Sequence, residues 1–292
     1  MNDARSIGLE IGELKSLQLV TRAYTEIAAV RMRKTKNSVI INREFVTSLD
    51  DVFGDVRASY AREVMSLATK RGGSEDAVTF LAHNGKTVAV FLSASTGLYG
   101  DIIGKTFRLF VKEVKEDLEN IEVAVVGKLG LALFQSALPN HPYTFFDISD
   151  TNITPQNLSQ LIGHIVQYEE IRVYYPTFQS AIRQEPTRYV ISAETPLSEL
   201  QEKGSSRKEK YYFEPSLKEI LVFFEREIFA SLMDQTVRES QLAKYAARIM
   251  TLDRSSENIK GKLKSLNLEK LKSEHRVQNK KQQERISSMV MW

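Results

Sequence analysis

Glycines followed by Gly-Lys-Thr are the first residues in this sequence whose types and spacing could do chemistry. In a phosphate loop the backbone N–H groups cradle the phosphates, the lysine reaches the outer phosphates and the hydroxyl residue holds Mg2+. That chemistry requires four residues between the first glycine and the triplet. Here three residues separate Gly100 from Gly104-Lys105-Thr106, and six separate Gly97 from it. The triplet also falls inside an apolar helical pattern, so close strand-to-helix packing accounts for these glycines better than a nucleotide does. His83, His141, His164 and His275 have no metal-ligand spacing. No serine or threonine sits on a recognisable nucleophile elbow. The chain has no cysteine, which removes disulfides, thiolate metal sites and cysteine catalysis. The reading is no catalytic residue, no metal site and no cofactor.

The elements that could position a site give more information. From Ser216 to Trp292 there is no proline, and Gly261 is the only glycine. Leu242, Tyr245, Ile249, Leu252, Ile259, Leu263 and Leu266 recur at alternating steps of three and four, with Ser256 filling one gap. That is an a/d seam facing a partner helix. As one helix the stretch would run roughly 115 Å at about 1.5 Å per residue, too long for a compact domain. Residues 4–70 also lack proline and show a broad apolar face through Ile7, Ile11, Leu14, Leu17, Tyr24, Ile27, Ala28 and Met32. The pattern continues through Val39, Phe45, Val46, Leu49, Val52 and Phe53, and Arg71-Gly72-Gly73-Ser74 ends it. The two stripes bury each other most economically as an antiparallel pair.

Residues 76–215 change character. AVTFLA and TVAVFLS, joined by His83-Asn84-Gly85-Lys86, read as a hairpin. An amphipathic helix follows over about 101–118, with Ile102, Phe107, Phe110 and Val114 inward. Then come strand IEVAVVG, a short helix to Leu138, strand YTFFDIS, a helix opened by Pro155, and strands IRVYYPTF and TRYVISA. This alternation is that of an α/β domain with a mainly parallel sheet. The stretch 194–210 has no periodicity and reads as a loop. The organisation is therefore 1–70 helix, 76–215 α/β domain and 216–292 helix.

A hydrophobic share of 42% and a charged share of 26% are those of an ordinary soluble protein. No apolar run approaches a membrane span. The opening residues lack the apolar core of a secretory signal, so an intracellular or organelle-matrix protein is expected. The net charge is only +3, yet from Arg254 onward ten Lys or Arg stand against Glu257, Glu269, Glu274 and Glu284. A basic helical tail suggests an acidic partner, either nucleic acid or an acidic protein surface. The tail has no interleaved aromatic before Trp292, which argues against nucleic acid.

With that architecture in hand, five stretches resemble, in order, the gamma-subunit family of the F-type ATP synthase. Leu17 to Arg33 (LQLVTRAYTEIAAVRMR) is similar to its I-T-x-A-M-x-x-V-A-A-x-K-L-R signature. Ser95 to Gly100 (STGLYG) resembles its D-R-G-L-C-G turn, and Val126 to Gly130 (VGKLG) its V-G-K-K-G turn. Tyr212 to Pro215 (YFEP) resembles Y-x-F-E-P, and Ala246 to Leu252 (AARIMTL) with Ser256-Glu257-Asn258 resembles A-A-R-M-x-A-M…A-T-x-N. The departures are specific. Ala243-Lys244 stands where the family has Ser-Glu, Ser95-Thr96 where it has Asp-Arg, and Tyr24 where it has its first methionine.

The resemblance implies a fold of long antiparallel coiled-coil helices with a central Rossmann-like α/β domain. It implies a non-catalytic central-stalk rotor, turning in a ring of alpha- and beta-type nucleotide-binding subunits. Its further partners would be a small epsilon/delta-type rotor subunit and a membrane ring of c-type subunits. The protein itself would neither insert in the membrane nor bind nucleic acid. It would sit on the cytoplasmic side of a bacterial membrane, or the matrix side of the mitochondrial inner membrane. Partner-binding residues would be a basic collar of Arg22, Arg31, Arg33 and Lys34 with Tyr24, and Lys244 and Arg248 across the pair. An apolar tip, Met289, Val290, Met291 and Trp292, would turn in an apolar sleeve. If Tyr24 crosses Arg248, antiparallel partners sum to about 272 and the seam ends near Leu266. Three alternatives remain: a gamma-like paralogue not coupled to ion translocation, a coiled-coil nucleic-acid adaptor, and a nucleotide-using enzyme.

Overall fold

The computed structural model describes residues 4–59, 84–150, 153–192, 214 and 216–290. It orders them as α1 (Ala4–Ser59), β1 (Thr87–Leu92), α2 (Ile102–Glu116), β2 (Ile121–Val126), α3 (Lys128–Ala137), β3 (Thr144–Phe146), α4 (Pro155–Ile165), β4 (Glu170–Phe178), β5 (Gln184–Ser192) and α5 (Leu217–Val290). The fold is the expected mixed α/β one, with long first and last helices. It divides into two compact bodies: Met1–Arg31 with Arg248–Trp292, and Met32–Ala247.

In the first body, the early part of α1 pairs antiparallel with the late part of α5. Ile7, Ile11 and Leu266 are buried together, with Leu14 and Leu263 packed against them. Glu10 Oε1 accepts from Lys262 Nζ at 2.8 Å. Glu10 with Lys262 sums to the expected 272, and Ile7 with Leu266 lies one residue away. Beyond Leu266 the described side chains of α5 are almost all exposed, as on a helix without a partner.

α1 buries only part of the expected apolar face: Ile7, Ile11 and Ala28 are buried and Leu14 and Met32 half-buried. Positions 7, 11, 14, 18, 21, 25 and 28 are all buried or half-buried, an unbroken alternation of four and three. Leu17, Tyr24 and Ile27, expected to face inward, are 47–51% exposed. Polar residues hold the seam instead. Thr21 Oγ1 donates to the Leu17 carbonyl at 2.8 Å and Thr25 Oγ1 to that of Thr21 at 2.9 Å. Each hydroxyl satisfied within its own helix lets a threonine act as a small seam residue.

The second body is built on a five-stranded sheet in the order β3-β2-β1-β4-β5. β1 pairs in parallel with β2 and β4, β2 in parallel with β3, and β4 antiparallel with β5. β1 is therefore central with both edges occupied, which leaves no edge for the expected hairpin with AVTFLA; that segment lies outside the described residues. Val88 to Leu92 are all buried, the signature of a strand covered on both faces. On one face Val88, Val90, Leu92, Val173 and Tyr175 pack on Leu161 and Ile165 of α4 and on Phe229, Met233 and Val237 of α5. On the other, Ala89, Phe91, Val123, Val125 and Tyr174 pack on Phe110 and Val114 of α2 and Phe134 of α3.

Local signals set two helix starts. Thr154 caps α4 through the Asn157 N–H at 3.2 Å, with Pro155 in the first turn. Ser216 caps α5, its Oγ accepting from the Glu219 N–H at 3.3 Å and its hydroxyl lying 3.3 Å from Glu219 Oε2. Also in this body, Asn42 Nδ2 of α1 donates to the Ser231 carbonyl of α5 at 3.2 Å, and Phe53 stacks on Phe224 at 5.5 Å.

Candidate functional site

The glycine turn after β1 does not cradle a phosphate. Gly104, Lys105 and Thr106 lie within α2, and the Thr106 hydroxyl, fully buried, donates to the Ile102 carbonyl at 2.9 Å. What the turn binds is a carboxylate. Asp150, 5% exposed, accepts on Oδ2 from the Ser95 N–H at 2.8 Å, the Thr96 N–H at 2.9 Å and Thr96 Oγ1 at 3.0 Å. The turn is backbone-strained at Leu98, φ 71°, and steadied by Tyr99, buried with its hydroxyl 3.2 Å from Thr96 Oγ1.

α5 closes on the same point. Gln241 Nε2 and the Tyr245 hydroxyl both donate to the Asp150 carbonyl, at 2.8 and 2.9 Å. Lys244 Nζ donates to the Ser93 carbonyl at 2.7 Å and stands 3.6 Å from Asp150 Oδ1. The VGKLG turn is packed just as closely. Gly127 has φ 91°, and a Cβ there would meet the Ala94 backbone at 2.7 Å. A Cβ on Gly130 would overlap that of Ser93. The glycine motifs thus hold the carboxyl ends of β1 and β2 against α5. They form a close-packed joint between the sheet and α5.

A larger cleft of about 840 Å3 lies at the opposite, amino-terminal ends of the strands, lined by Lys86, Glu122, His141 and Tyr143 among others. Ligands of open α/β sheets bind at the carboxyl ends. The cleft's polar groups satisfy one another. Lys86 Nζ and the Tyr168 hydroxyl donate to Glu122 at 2.8 and 2.5 Å, which holds that carboxyl below its ordinary range. Burial and Glu122 push the Tyr168 hydroxyl up, and burial lowers His164. Among the described residues no His, Asp and Glu cluster could hold a metal.

The expected partner-binding residues divide. Arg22, Tyr24, Arg33 and Lys34 are exposed and Arg31 is half-buried. Lys244 and Arg248 are corrections: at 6% and 7% exposure they are interior groups. An ammonium survives burial only with partners, and Lys244 has Ser93 and Asp150. Tyr245 also departs from the seam, since its hydroxyl docks on Asp150. Leu242, Leu252, Ile259 and Leu266 are buried, and Ile249 and Leu263 are half-buried. Met289 is 79% exposed at the end of α5. Nothing is described of the Val290 side chain, and Met291 and Trp292 lie outside the described residues.

The sequence reading missed a second stripe. Leu17, Val20, Tyr24, Ile27 and Val30 recur at steps of three or four on α1 and are each 47–57% exposed. This is an apolar row beside the buried seam. The signal was visible, because α1 carries more apolar residues than one a/d seam can bury. No described helix is long and apolar enough to cross a membrane.

Residues 3–286 match the family model described as ATP synthase. An ATP synthase gamma chain from Pelotomaculum thermopropionicum is 22% identical over 274 residues, covering 92% of this chain and 91% of that one. One from Moorella thermoacetica is 25% identical, covering 88% of each. Among solved structures, the chain resembles the rotor of the Euglena gracilis mitochondrial ATP synthase with a TM-score of 0.59 at 14% identity, covering 94% of this chain and 98% of that one. A central-stalk chain from Tetrahymena thermophila mitochondrial ATP synthase gives a TM-score of 0.57 at 15% identity, covering 81% of this chain and 99% of that one.

Proposed function

Because the chain belongs to the ATP synthase family, as a gamma-type member, we propose that it is the central-stalk rotor of an F-type ATP synthase. The observation that carries this reading is the two-sided character of α1. One stripe is buried in an antiparallel pair whose register is fixed by Glu10–Lys262. The next, Leu17 to Val30, is left exposed for something outside the chain. A shaft turning in a close-fitting sleeve needs both.

The mechanism is mechanical. The chain supplies no chemistry, and the nucleotide sites belong to alpha- and beta-type partners arranged around it. A shaft that presents different side chains to each of three catalytic partners biases each toward a different nucleotide affinity. Its leverage equals its differential interaction with their conformations. The exposed cations Arg22, Arg33 and Lys34, with Arg31 and Tyr24, would meet acidic partner loops. The apolar end of α5, from Met289 through Val290, Met291 and Trp292, would turn in the top of the sleeve. Residues 1–70 and 216–292 would form the shaft. Residues 76–215 would be the foot, bearing on an epsilon/delta-type subunit and a ring of c-type subunits. The protein would thus be peripheral, on the cytoplasmic or matrix face of the coupling membrane.

A second reading has its own observation. Lys244, Ser95 and Thr96 replace Glu, Asp and Arg of the family signatures, and all three sit in one joint. That supports a gamma-like paralogue turning in a similar ring without ion translocation. Purification of the tagged full-length chain with its partners tests both readings. Recovery of a nucleotide-binding ring with c-type subunits supports the first, a ring without them the second, and tight nucleic-acid binding without a ring refutes both.

A further inference from the structure

The sheet of the second body has two outer edges, and they are unlike. β3 is only Thr144–Phe146, too short to offer much to another strand. β5 runs nine residues, Gln184–Ser192. It pairs with β4 along its whole length and, among the described residues, has no strand on its other side. The pairing fixes which backbone groups are open. The Gln179 N–H donates to the Arg183 carbonyl at 3.1 Å, and Pro176 stands opposite Pro186, a pair with no N–H to exchange. Odd-numbered residues of β5 therefore bond to β4. Arg188, Val190 and Ser192 turn their N–H and C=O groups outward.

Proteins blunt long edges with proline, with a charge or with a bulge. On β5 that protection stops early. Pro186 removes one outward donor near the turn, with its nitrogen on the open side where an edge strand tolerates it. Arg188 is not a free guard, because its Nη1 donates to Glu113 Oε2 of α2 at 2.8 Å. The register against β4 carries no bulge. Next come Tyr189 and Val190, 37% and 39% exposed, and then Ile191, half-buried. All three are strand-favouring types. Val190 pairs with Arg172, which pairs with Ala89, so Val190 lies on the α2 face and Tyr189 on the opposite one.

An open row of alternating donors and acceptors at strand spacing is matched by another extended backbone. A helix has spent its own groups internally, and a lipid surface or a nucleic acid offers no such alternation. We propose that the Arg188–Ser192 edge of β5 is a docking site for an edge strand of another protein, which adds a sixth strand to the five-stranded sheet. The incoming strand sets β-branched or aromatic residues against Val190 on one face and Tyr189 on the other. Under the rotor reading, that protein turns with the α/β domain. Its place on the rotor rests on that reading; the strand site does not.

The test uses the tagged full-length chain, purified alone and with its bound proteins, and reads amide exchange at Arg188, Val190 and Ser192. In the isolated chain these amides should exchange near the rate of an unprotected backbone, and in the complex about a hundredfold slower. Val190→Pro deletes one outward N–H without touching the bonds to β4. Its urea unfolding should match wild type while the strand partner is recovered about tenfold less. Val190→Lys keeps every backbone group, puts a charge on the edge and should weaken recovery similarly. Val190→Thr should retain the partner. Complexes of the same composition from all the variants would overturn the inference. So would a wild-type chain that recovers no protein able to slow these amides, or protection that needs only a second copy of this chain, seen as a dimer by sedimentation. A nucleotide-binding ring recovered with these amides unprotected sinks the strand site alone. A partner-protected edge with no ring sinks the rotor reading alone.

Discussion

Lys244→Glu restores the residue that the family signature carries at this position, and it should be among the most damaging single changes in the α/β body. The wild-type ammonium donates to the Ser93 carbonyl at 2.7 Å, a charge-assisted bond whose loss costs about 1.5–3 kcal/mol. It also stands 3.6 Å from a carboxylate that is only 3% exposed. Lys244→Met removes both contacts and should cost about 3 kcal/mol, at the low end for a broken buried pair. Asp150 keeps its three donors from Ser95 and Thr96, which moderates the loss. Lys244→Glu adds a second carboxylate at about 4 Å, worth about 4 kcal/mol of repulsion at an effective dielectric constant of about 20. Proton uptake by one of the two caps that figure, so we expect a total near 5 kcal/mol at pH 7. The sign with pH follows. The shared proton raises a folded-state carboxyl above its unfolded value, so stability is recovered as pH falls from 7 to 5. Lys244→Met should show no such recovery. Amide exchange at Ser95 and Thr96, with urea unfolding of the full chain, measures both. Equal behaviour of the Glu and Met variants at both pH values, or wild-type stability of either, would refute the buried-pair argument.

Other perturbations separate the remaining parts. Leu252→Asp with Leu266→Asp places two charges in the seam of the first body, where unpaired burial costs several kcal/mol; loss of complex assembly on gel filtration is expected. Gly130→Ala drives a methyl into Ser93 and should cost about 1–3 kcal/mol of stability in urea. Burial raises the Glu239 carboxyl above its ordinary value, despite opposing help from Arg43 and Tyr175. Wild-type stability should therefore decline as pH rises from the unfolded value, near 4.5, through the folded one, and Glu239→Gln should flatten that slope in pH-dependent unfolding.

The register of the helix pair was legible because the a/d seam on α5 fades after Leu266, and Glu10–Lys262 obeys the expected sum. On α1 the face was legible at Ile7, Ile11, Leu14 and Ala28 but not between them. Thr21 and Thr25 look polar in a sequence, and only their bonds to Leu17 and Thr21 reveal why they tolerate a seam. Leu17, Tyr24 and Ile27 drew the eye to the wrong face. β1 was misread as one arm of a hairpin because an Asn-Gly turn precedes it, although its unbroken apolar run already favoured a strand buried on both faces. Lys244 was placed in the surface collar because lysines are rarely buried. Its partner Asp150 lies far away in sequence, so no local pattern could pair them. Yet Ser95-Thr96 and Lys244 were both visible as departures from the family signatures, and they meet at Asp150.

The central claim is that this chain is a shaft whose angle sets nucleotide affinity in the partners around it. Its most direct test is ATP-driven rotation of a probe fixed to the α/β domain while the reconstituted ring is immobilised. The wild-type chain should turn in one direction. Arg31→Ala, Arg33→Ala and Lys34→Ala together should leave a complex that still assembles, because exposed charge pairs contribute only about 0–1 kcal/mol. Its rotation should be slower or weaker in torque, and less sensitive to salt than wild type. Steady ATP turnover with a probe that only fluctuates, or a triple variant indistinguishable from wild type, would contradict the account.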